Sequence, residues 1–276
     1  MELKYAPDIE RYPELSTNEL RAGLLIPNLF QPDTIQSVYT DLDRAVIGGA
    51  VPTSGKLTLG TAKELASTYF AERREIGVIN IGGTGSVTVD GKEFALAKRD
   101  CLYIGRGSRQ IEFGSAKSQD PAWFYFISYP AHAVHPTRQA TVSDAAAVEL
   151  GAQRDANLRT IRKYIHKDGI QSCQLVMGFT ELKEGSVWNT MPPHTHSRRT
   201  EVYLYFDVAS DAAVFHFMGT PQHTRHLIVR NGEAVLSPPW SIHCGAGTRH
   251  YCFIWAMGGE NREFTDMDQL AVGTLK

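Results

Sequence analysis

The stretch Met191-Pro192-Pro193-His194-Thr195-His196-Ser197-Arg198-Arg199-Thr200-Glu201 reads as half of a metal site. Side chains on a strand alternate between its two faces, so residues two apart leave the same side. His194 and His196 can therefore reach one ion. Glu201 has the wrong parity to join them in an unbroken strand, so residues 197–200 must turn or bulge to bring its carboxylate back. Val202-Tyr203-Leu204-Tyr205-Phe206 then resumes as a strongly β-prone run. A fourth ligand must come from elsewhere, and His243 is the best placed. It closes Gly232-Glu233-Ala234-Val235-Leu236-Ser237-Pro238-Pro239-Trp240-Ser241-Ile242-His243, a strand followed by a proline-rich bend. Three imidazoles and one carboxylate suit zinc, iron, manganese or nickel, with room left for water or substrate.

The surrounding chain is rich in short strands. From residue 53 to 140, β-prone runs such as 77–81, 86–89, 101–104, 110–113 and 123–128 are separated by turn residues, the pattern of a sandwich or barrel. Asp90-Gly91 is a hairpin dipeptide. The glycines at 82–85 have neither a following helix pattern nor a Lys-Ser/Thr pair, so they read as a turn rather than a phosphate loop. All ten histidines lie at or beyond His132, so the strands of this first half carry none. It reads as a metal-free barrel for packing, assembly or walling. The second strand-rich half, 159–258, carries the candidate ligands. The expected division is an arm with helices over 1–52, a barrel over 53–140, a connector over 141–158, the metal-binding barrel over 159–258 and a tail over 259–276. Ser16 and Glu19 have the spacing of a helix capping box, and 32–39 suggests a second short helix. The Ala-rich connector has helical tendency, with Ser143 or Asp144 as a cap.

Composition fits a globular protein with a sizeable core: 42 % hydrophobic and 21 % charged residues. A net charge of −2 argues against nucleic acid or a membrane surface as partner. The start of the chain lacks an apolar signal core, and no apolar run approaches spanning length. The four cysteines form no CxxC pair and read as reduced and buried, consistent with a cytoplasmic protein. Cys244 adjoins His243 but points to the opposite face of a regular strand.

The His-x-His pair, the glutamate five residues on and the distant proline-histidine stretch together resemble the two motifs of the cupin superfamily. Longer runs are more specific. Phe70-Ala71-Glu72-Arg73-Arg74-Glu75-Ile76-Gly77-Val78-Ile79-Asn80, Arg162-Lys163-Tyr164-Ile165-His166, Gly169-Ile170-Gln171-Ser172-Cys173-Gln174-Leu175-Val176-Met177-Gly178 and Trp188-Asn189-Thr190-Met191-Pro192-Pro193-His194-Thr195-His196 resemble the 5-keto-4-deoxyuronate isomerase family. That resemblance implies an all-β fold of two cupin-like β-barrel (jelly-roll) domains with short helical segments. It also implies one zinc per chain on His194, His196, Glu201 and His243, and a homohexamer. The implied reaction interconverts 5-dehydro-4-deoxy-D-glucuronate and 3-deoxy-D-glycero-2,5-hexodiulosonate in pectin and uronate breakdown.

An aldose–ketose isomerisation shifts one proton between adjacent carbons through an enediolate, whose charge a divalent cation stabilises. A proton carrier other than Glu201 and a cation for the substrate carboxylate are then needed. Arg162, Lys163, Arg225 and His226 are nominated for substrate binding because they flank strands of the metal-bearing half. His216, inside an apolar run, reads as a satisfied core histidine, and His223 and His250 as loop residues. The ligand set alone also admits an iron-dependent cupin dioxygenase or a non-catalytic sugar-sensing cupin.

Overall fold

The alternating apolar pattern produces strands almost throughout. A computed structural model describes residues 1–276. It contains 24 strands and a single α-helix, Thr17–Leu24, which makes the fold all-β. That helix starts where the sequence placed it. Ser16 Oγ accepts from the Glu19 N–H, and the Glu19 carboxylate accepts from the Ser16 N–H. Leu20 and Leu24 supply its buried face.

The chain divides into two units. The first comprises residues 1–3, 28–146 and 164–176. Its seven-stranded sheet runs in the order Glu2–Lys4, Ile35–Thr40, Val46–Ala50, Phe124–Pro130, Arg74–Asn80, Cys101–Ile104 and Arg138–Ala140. Its four-stranded sheet runs Leu57–Thr58, Ile111–Ser115, Gly85–Val89 and Lys92–Leu96. Asp90 and Gly91 form the hairpin between Gly85–Val89 and Lys92–Leu96, with φ of 48° and 83°, where Val89 pairs with Lys92. The space between the sheets is closed by Ile76, Val78, Leu102, Ile104, Phe124 and Phe126, all buried. On the other face of the same strand, the buried Glu75 carboxylate accepts from Tyr103 Oη and the N–H groups of Cys173, Gln174 and Leu175. It holds the segment 173–175, whose N–H groups would otherwise lack a partner there, the buried Leu175 N–H among them.

The second unit comprises residues 4–27, 147–163 and 177–276. Its seven-stranded sheet runs Ala146–Leu150, Arg159–Ile165, Val176–Leu182, Cys252–Gly259, Arg199–Phe206, Ala234–Ser237 and Leu25–Ile26. Facing it is a four-stranded sheet of Trp188–Asn189, Cys244–Gly247, Val214–Thr220 and His223–Val229. A further two-stranded ladder pairs His194–Thr195 with Asp268–Gln269, so the tail pairs with the candidate ligand strand. Gly178 lets the barrel wall close. A Cβ there would lie 2.2 Å from the Arg162 carbonyl oxygen and 2.5 Å from the Trp255 ring.

Three expectations are corrected. Residues 32–39 do not form a helix: Ile35–Thr40 is a strand that pairs with Val46–Ala50. The 1–52 arm is therefore not a separate piece, because residues 4–27 belong to the second unit and 28–52 to the first. The Ala-rich connector is a 3-10 turn, Val142–Asp144, followed by the edge strand Ala146–Leu150. Its cap is Thr141 rather than Ser143 or Asp144. In each case pairing with a neighbouring strand outweighs local propensity, which amounts to only tenths of a kcal/mol per residue, about 0.7 at most for ordinary residues. No helix is long and apolar enough to cross a membrane.

Candidate metal centre

The decisive stretch folds as its parity required. His194–Thr195 is a short strand, the chain turns at Ser197-Arg198, and the strand Arg199–Phe206 begins. The turn is held by the Arg199 N–H donating to the His196 carbonyl at 3.2 Å. It returns Glu201 to the lumen beside both histidines. His243 arrives from the bend before Cys244–Gly247. The ligand atoms of His194, His196, Glu201 and His243 lie within 4.8 Å of one another, and all four residues are buried.

The hydrogen bonds around the cluster show which atoms face inward. His196 Nδ1 donates to the Arg199 carbonyl at 3.0 Å. His243 Nδ1 lies 3.2 Å from Ser237 Oγ and 3.3 Å from the Ser241 carbonyl. With Nδ1 protonated, the neutral ring presents a bare Nε2. Those Nε2 atoms converge: His243 Nε2 lies 2.9 Å from His194 Nε2 and 2.9 Å from Glu201 Oε2, and His196 Nε2 lies 3.2 Å from the same oxygen. Lone pairs and an anion brought this close repel one another unless a proton or a cation sits among them. The set fits a divalent metal ion.

The electrostatics agree. Burial and the neighbouring His243 hold the His194 imidazole down at about 3, so it stays neutral. Burial opposes charge on His196, but the hydrogen bond and charge of Glu201 and the bond to the Arg199 carbonyl together outweigh this and raise it. Burial alone would raise Glu201; the His243 and His196 rings instead hold it well below the usual carboxylate range. An ionised Glu201 and a neutral His194 are the forms that metal binding needs, and binding would displace any proton held by His196.

The cluster opens into a cavity of about 340 Å³. Glu201 and Tyr203 line it from one strand, and Phe253, Trp255 and Met257 from the next. Phe264 and Met267 close it from the tail. Trp255 is fixed by its indole N–H donating to Thr180 Oγ1 at 3.1 Å. The tail is tied down by the turn beside the histidines. Arg198 pairs with Asp266 and Asp268, and the buried Arg199 donates to the Glu263 and Asp266 carbonyls at 2.6 and 2.7 Å.

None of the four nominated substrate residues lines this cavity. Arg162 points to the other face of its strand from Arg159 and Ile161, which do line it. The Lys163 ammonium lies over the Phe264 ring, 5.1 Å from its centre. Arg225 donates to the carbonyls of Pro13 and Leu15 and so anchors the segment before the helix. His226 is exposed, its ring near Phe215. His216 is a core residue whose Nδ1 is hydrogen-bonded with Tyr205 Oη at 2.7 Å, while its buried Nε2 has no partner, so it is only half satisfied. His223 begins a strand and His250 is in a loop. Cys244 is buried, its thiol pushed up to about 12 by burial, and it is not part of the ligand cluster.

Arg159 and Tyr203, which line the cavity, and Arg198 and Arg199, which clamp the tail, are not singled out by the sequence. For Arg159 a signal was present: Arg159, Ile161 and Lys163 alternate, and an arginine facing the same side as an isoleucine faces a lumen.

Two barrels of one strand order, the second holding a buried set of three histidines and a glutamate, define a two-barrel cupin. The chain belongs to the KduI/IolB family, whose pattern matches residues 26–274. It is 53 % identical to the 4-deoxy-L-threo-5-hexosulose-uronate ketol-isomerase of Halalkalibacterium halodurans over 276 residues, all of both chains. It is 54 % identical over 277 residues to the protein of the same name from Opitutus terrae, again over all of both. Among solved structures, an IolB-like protein from Salmonella typhimurium LT2 matches with a TM-score of 0.71 at 14 % identity, over 90 % of this chain and 97 % of that one. That likeness speaks for the fold.

Proposed function

We propose that the protein is a zinc-dependent ketol-isomerase that interconverts 5-dehydro-4-deoxy-D-glucuronate and 3-deoxy-D-glycero-2,5-hexodiulosonate, as in pectin and uronate breakdown. The observation that carries this reading is the coincidence of two things. The chain matches ketol-isomerases over its whole length, and its cavity ends on a converging set of three imidazole nitrogens and a carboxylate. His194, His196, Glu201 and His243 would hold one zinc ion, since imidazole nitrogens and a carboxylate oxygen are donors such an ion takes. When bound, the ion supplies Lewis-acid stabilisation of the negative charge on the enediolate oxygens.

The chain's own groups do the rest. Trp255, Met257, Phe264 and Met267 keep water from the reacting carbons. Tyr203, whose Oη lies 3.1 Å from Thr190 Oγ1, brings a hydroxyl to the cavity that can donate to a developing oxyanion. We also place the protein in the cytoplasm as a homohexamer. Its four cysteines are free, and the edge strand Ala146–Leu150 is exposed along its whole length with Val148 and Leu150 among its residues.

The test is elemental analysis of the purified protein followed by anaerobic assay on the ketouronate. One zinc per chain and turnover without oxygen are expected, and both should vanish in a His194→Ala/His196→Ala variant. Oxygen consumption in place of isomerisation would establish a dioxygenase. Sugar binding without turnover would establish a sensor.

A further inference from the structure

The cavity contains one permanent cation, Arg159, and its surroundings are unusual for a guanidinium. It is half-buried at the start of the strand Arg159–Ile165. Its single hydrogen bond is from Nη1 to the Asn157 carbonyl at 2.9 Å, and no carboxylate lies within ion-pairing distance. The contrast with its neighbours is sharp. Arg198 meets two aspartates, and Arg199 meets Asp266 and two backbone carbonyls. Burial lowers the Arg159 pKa, opposed by the Tyr203 and Tyr251 hydroxyls and by no acid. A half-buried cation facing an apolar cavity with unused donors is a ready partner for an anion that fills the space.

We infer that Arg159 is the carboxylate anchor of the substrate cavity, the group that makes this site select sugar acids over neutral sugars. The inference rests on the isomerase reading for the identity of the sugar acid, though not for the existence of an anion site. A guanidinium matches a carboxylate with two parallel N–H donors, and Nε and Nη2 are the donors left over. Arg159 and the donors His194 and Glu201 line the same cavity. In a hexuronate the carboxylate is at the opposite end of the carbon chain from the aldehyde. A substrate held by Arg159 at one end thus presents its carbonyl and neighbouring hydroxyl to the metal-binding residues, and its middle carbons to the Trp255 and Phe253 wall. No other cation lines the wall: Arg162, Lys163 and Arg225 are each engaged or turned elsewhere.

The test uses the metal-loaded protein and three probes: D-glucuronate, its methyl ester and D-glucose, titrated calorimetrically. The wild type should bind D-glucuronate about 10- to 100-fold more tightly than the ester or glucose, the range of a charged hydrogen-bonded pair. Arg159→Gln should lose that preference while keeping its zinc content and melting temperature. Arg159→Lys, which keeps the charge and loses the fork, should retain part of it and serves if the glutamine variant does not fold. Equal binding of acid and ester by the wild type, or an undiminished preference in both variants, overturns the anchor. Ketouronate turnover measured alongside separates the two claims. An Arg159-dependent preference without wild-type turnover leaves the anchor and removes the isomerase. Wild-type turnover with KM and kcat unchanged in Arg159→Gln removes the anchor and leaves the isomerase.

Discussion

The two barrels put one strand order to different uses. In the first, Ile76 stands opposite Ile104 on one neighbouring strand and Ser128 on the other, with Val78 between Leu102 and Phe126. In the second, Glu201 holds the matching place between Ser237 and Met257, and Tyr203 the next, between Val235 and Trp255. The first lumen is closed by apolar side chains, each contributing about 1.5–3 kcal/mol by leaving water. The second gives up that burial for a carboxylate, imidazoles and a cavity. Burying such a group costs several kcal/mol unless it is compensated. A bound cation would compensate the carboxylate of the second barrel, whereas the first is closed as a plain hydrophobic core. The fold is indifferent to the choice; a few inward positions decide it.

Making the second lumen like the first should have the largest effect. Glu201→Leu is expected to abolish metal retention and lower turnover by about a thousandfold or more, several kcal/mol of transition-state stabilisation. The metal-free variant should be at least as stable to urea as metal-free wild type, because a buried charge has gone. Wild-type zinc content in this variant would remove Glu201 from the ligand set.

The reverse exchange, Ile76→Glu, buries a carboxylate with no imidazole near it. It should cost about 3–5 kcal/mol in urea unfolding and gain no metal. A loss under about 1 kcal/mol would mean that the first lumen admits water, and the contrast drawn above would fail.

A smaller effect is expected from Ser237→Ala, which removes the hydroxyl beside His243 Nδ1. Zinc affinity should fall about tenfold with the fold intact, since partners behind a ligand orient it. Competition with a fluorescent chelator measures this, and unchanged affinity would leave the Ser241 carbonyl as the orienting group.

The smallest concerns the tail, which has no counterpart in the first lumen. Hydrogen bonds from Arg198 hold the Asp266 carboxyl at about 2, below the roughly 3.9 of an unfolded chain. A depressed acid contributes stability that is complete above about pH 4 and is lost as pH falls through about 2. Protection of the amides across 263–270, corrected for the intrinsic exchange rate at each pH, should therefore fall on acidification over that window. Asp266→Asn should show the same loosening at neutral pH, with Trp255 fluorescence responding because its ring packs on Phe264. Equal protection in wild type and variant would show that the Arg199 bonds to the Glu263 and Asp266 carbonyls suffice.

Much was legible before any coordinates. Period-two alternation and the Asp90-Gly91 turn gave the strands, and the Ser16–Glu19 spacing gave the helix. The one-sided placement of histidine pointed to the second half as the candidate metal barrel. The parity of His194, His196 and Glu201 required a turn at 197–200, and the turn is there. These features are local: they depend on side-chain alternation and on residues a few positions apart. What the sequence could not determine is non-local. The strand at 35–40 and the edge strand at 146–150 exist because distant segments pair with them, against weak local preferences. Arg159 faces the cavity, and Arg162 does not, because the sheet fixes which side of that strand is inside. The tail closes the site because Arg198 and Arg199 meet Asp266 across some 70 residues of chain. Sequence alone determined which residues could bind a metal and where the chain had to turn. Only the tertiary structure decided which cation the cavity uses, because a charge acquires its role from what the fold leaves unpaired beside it.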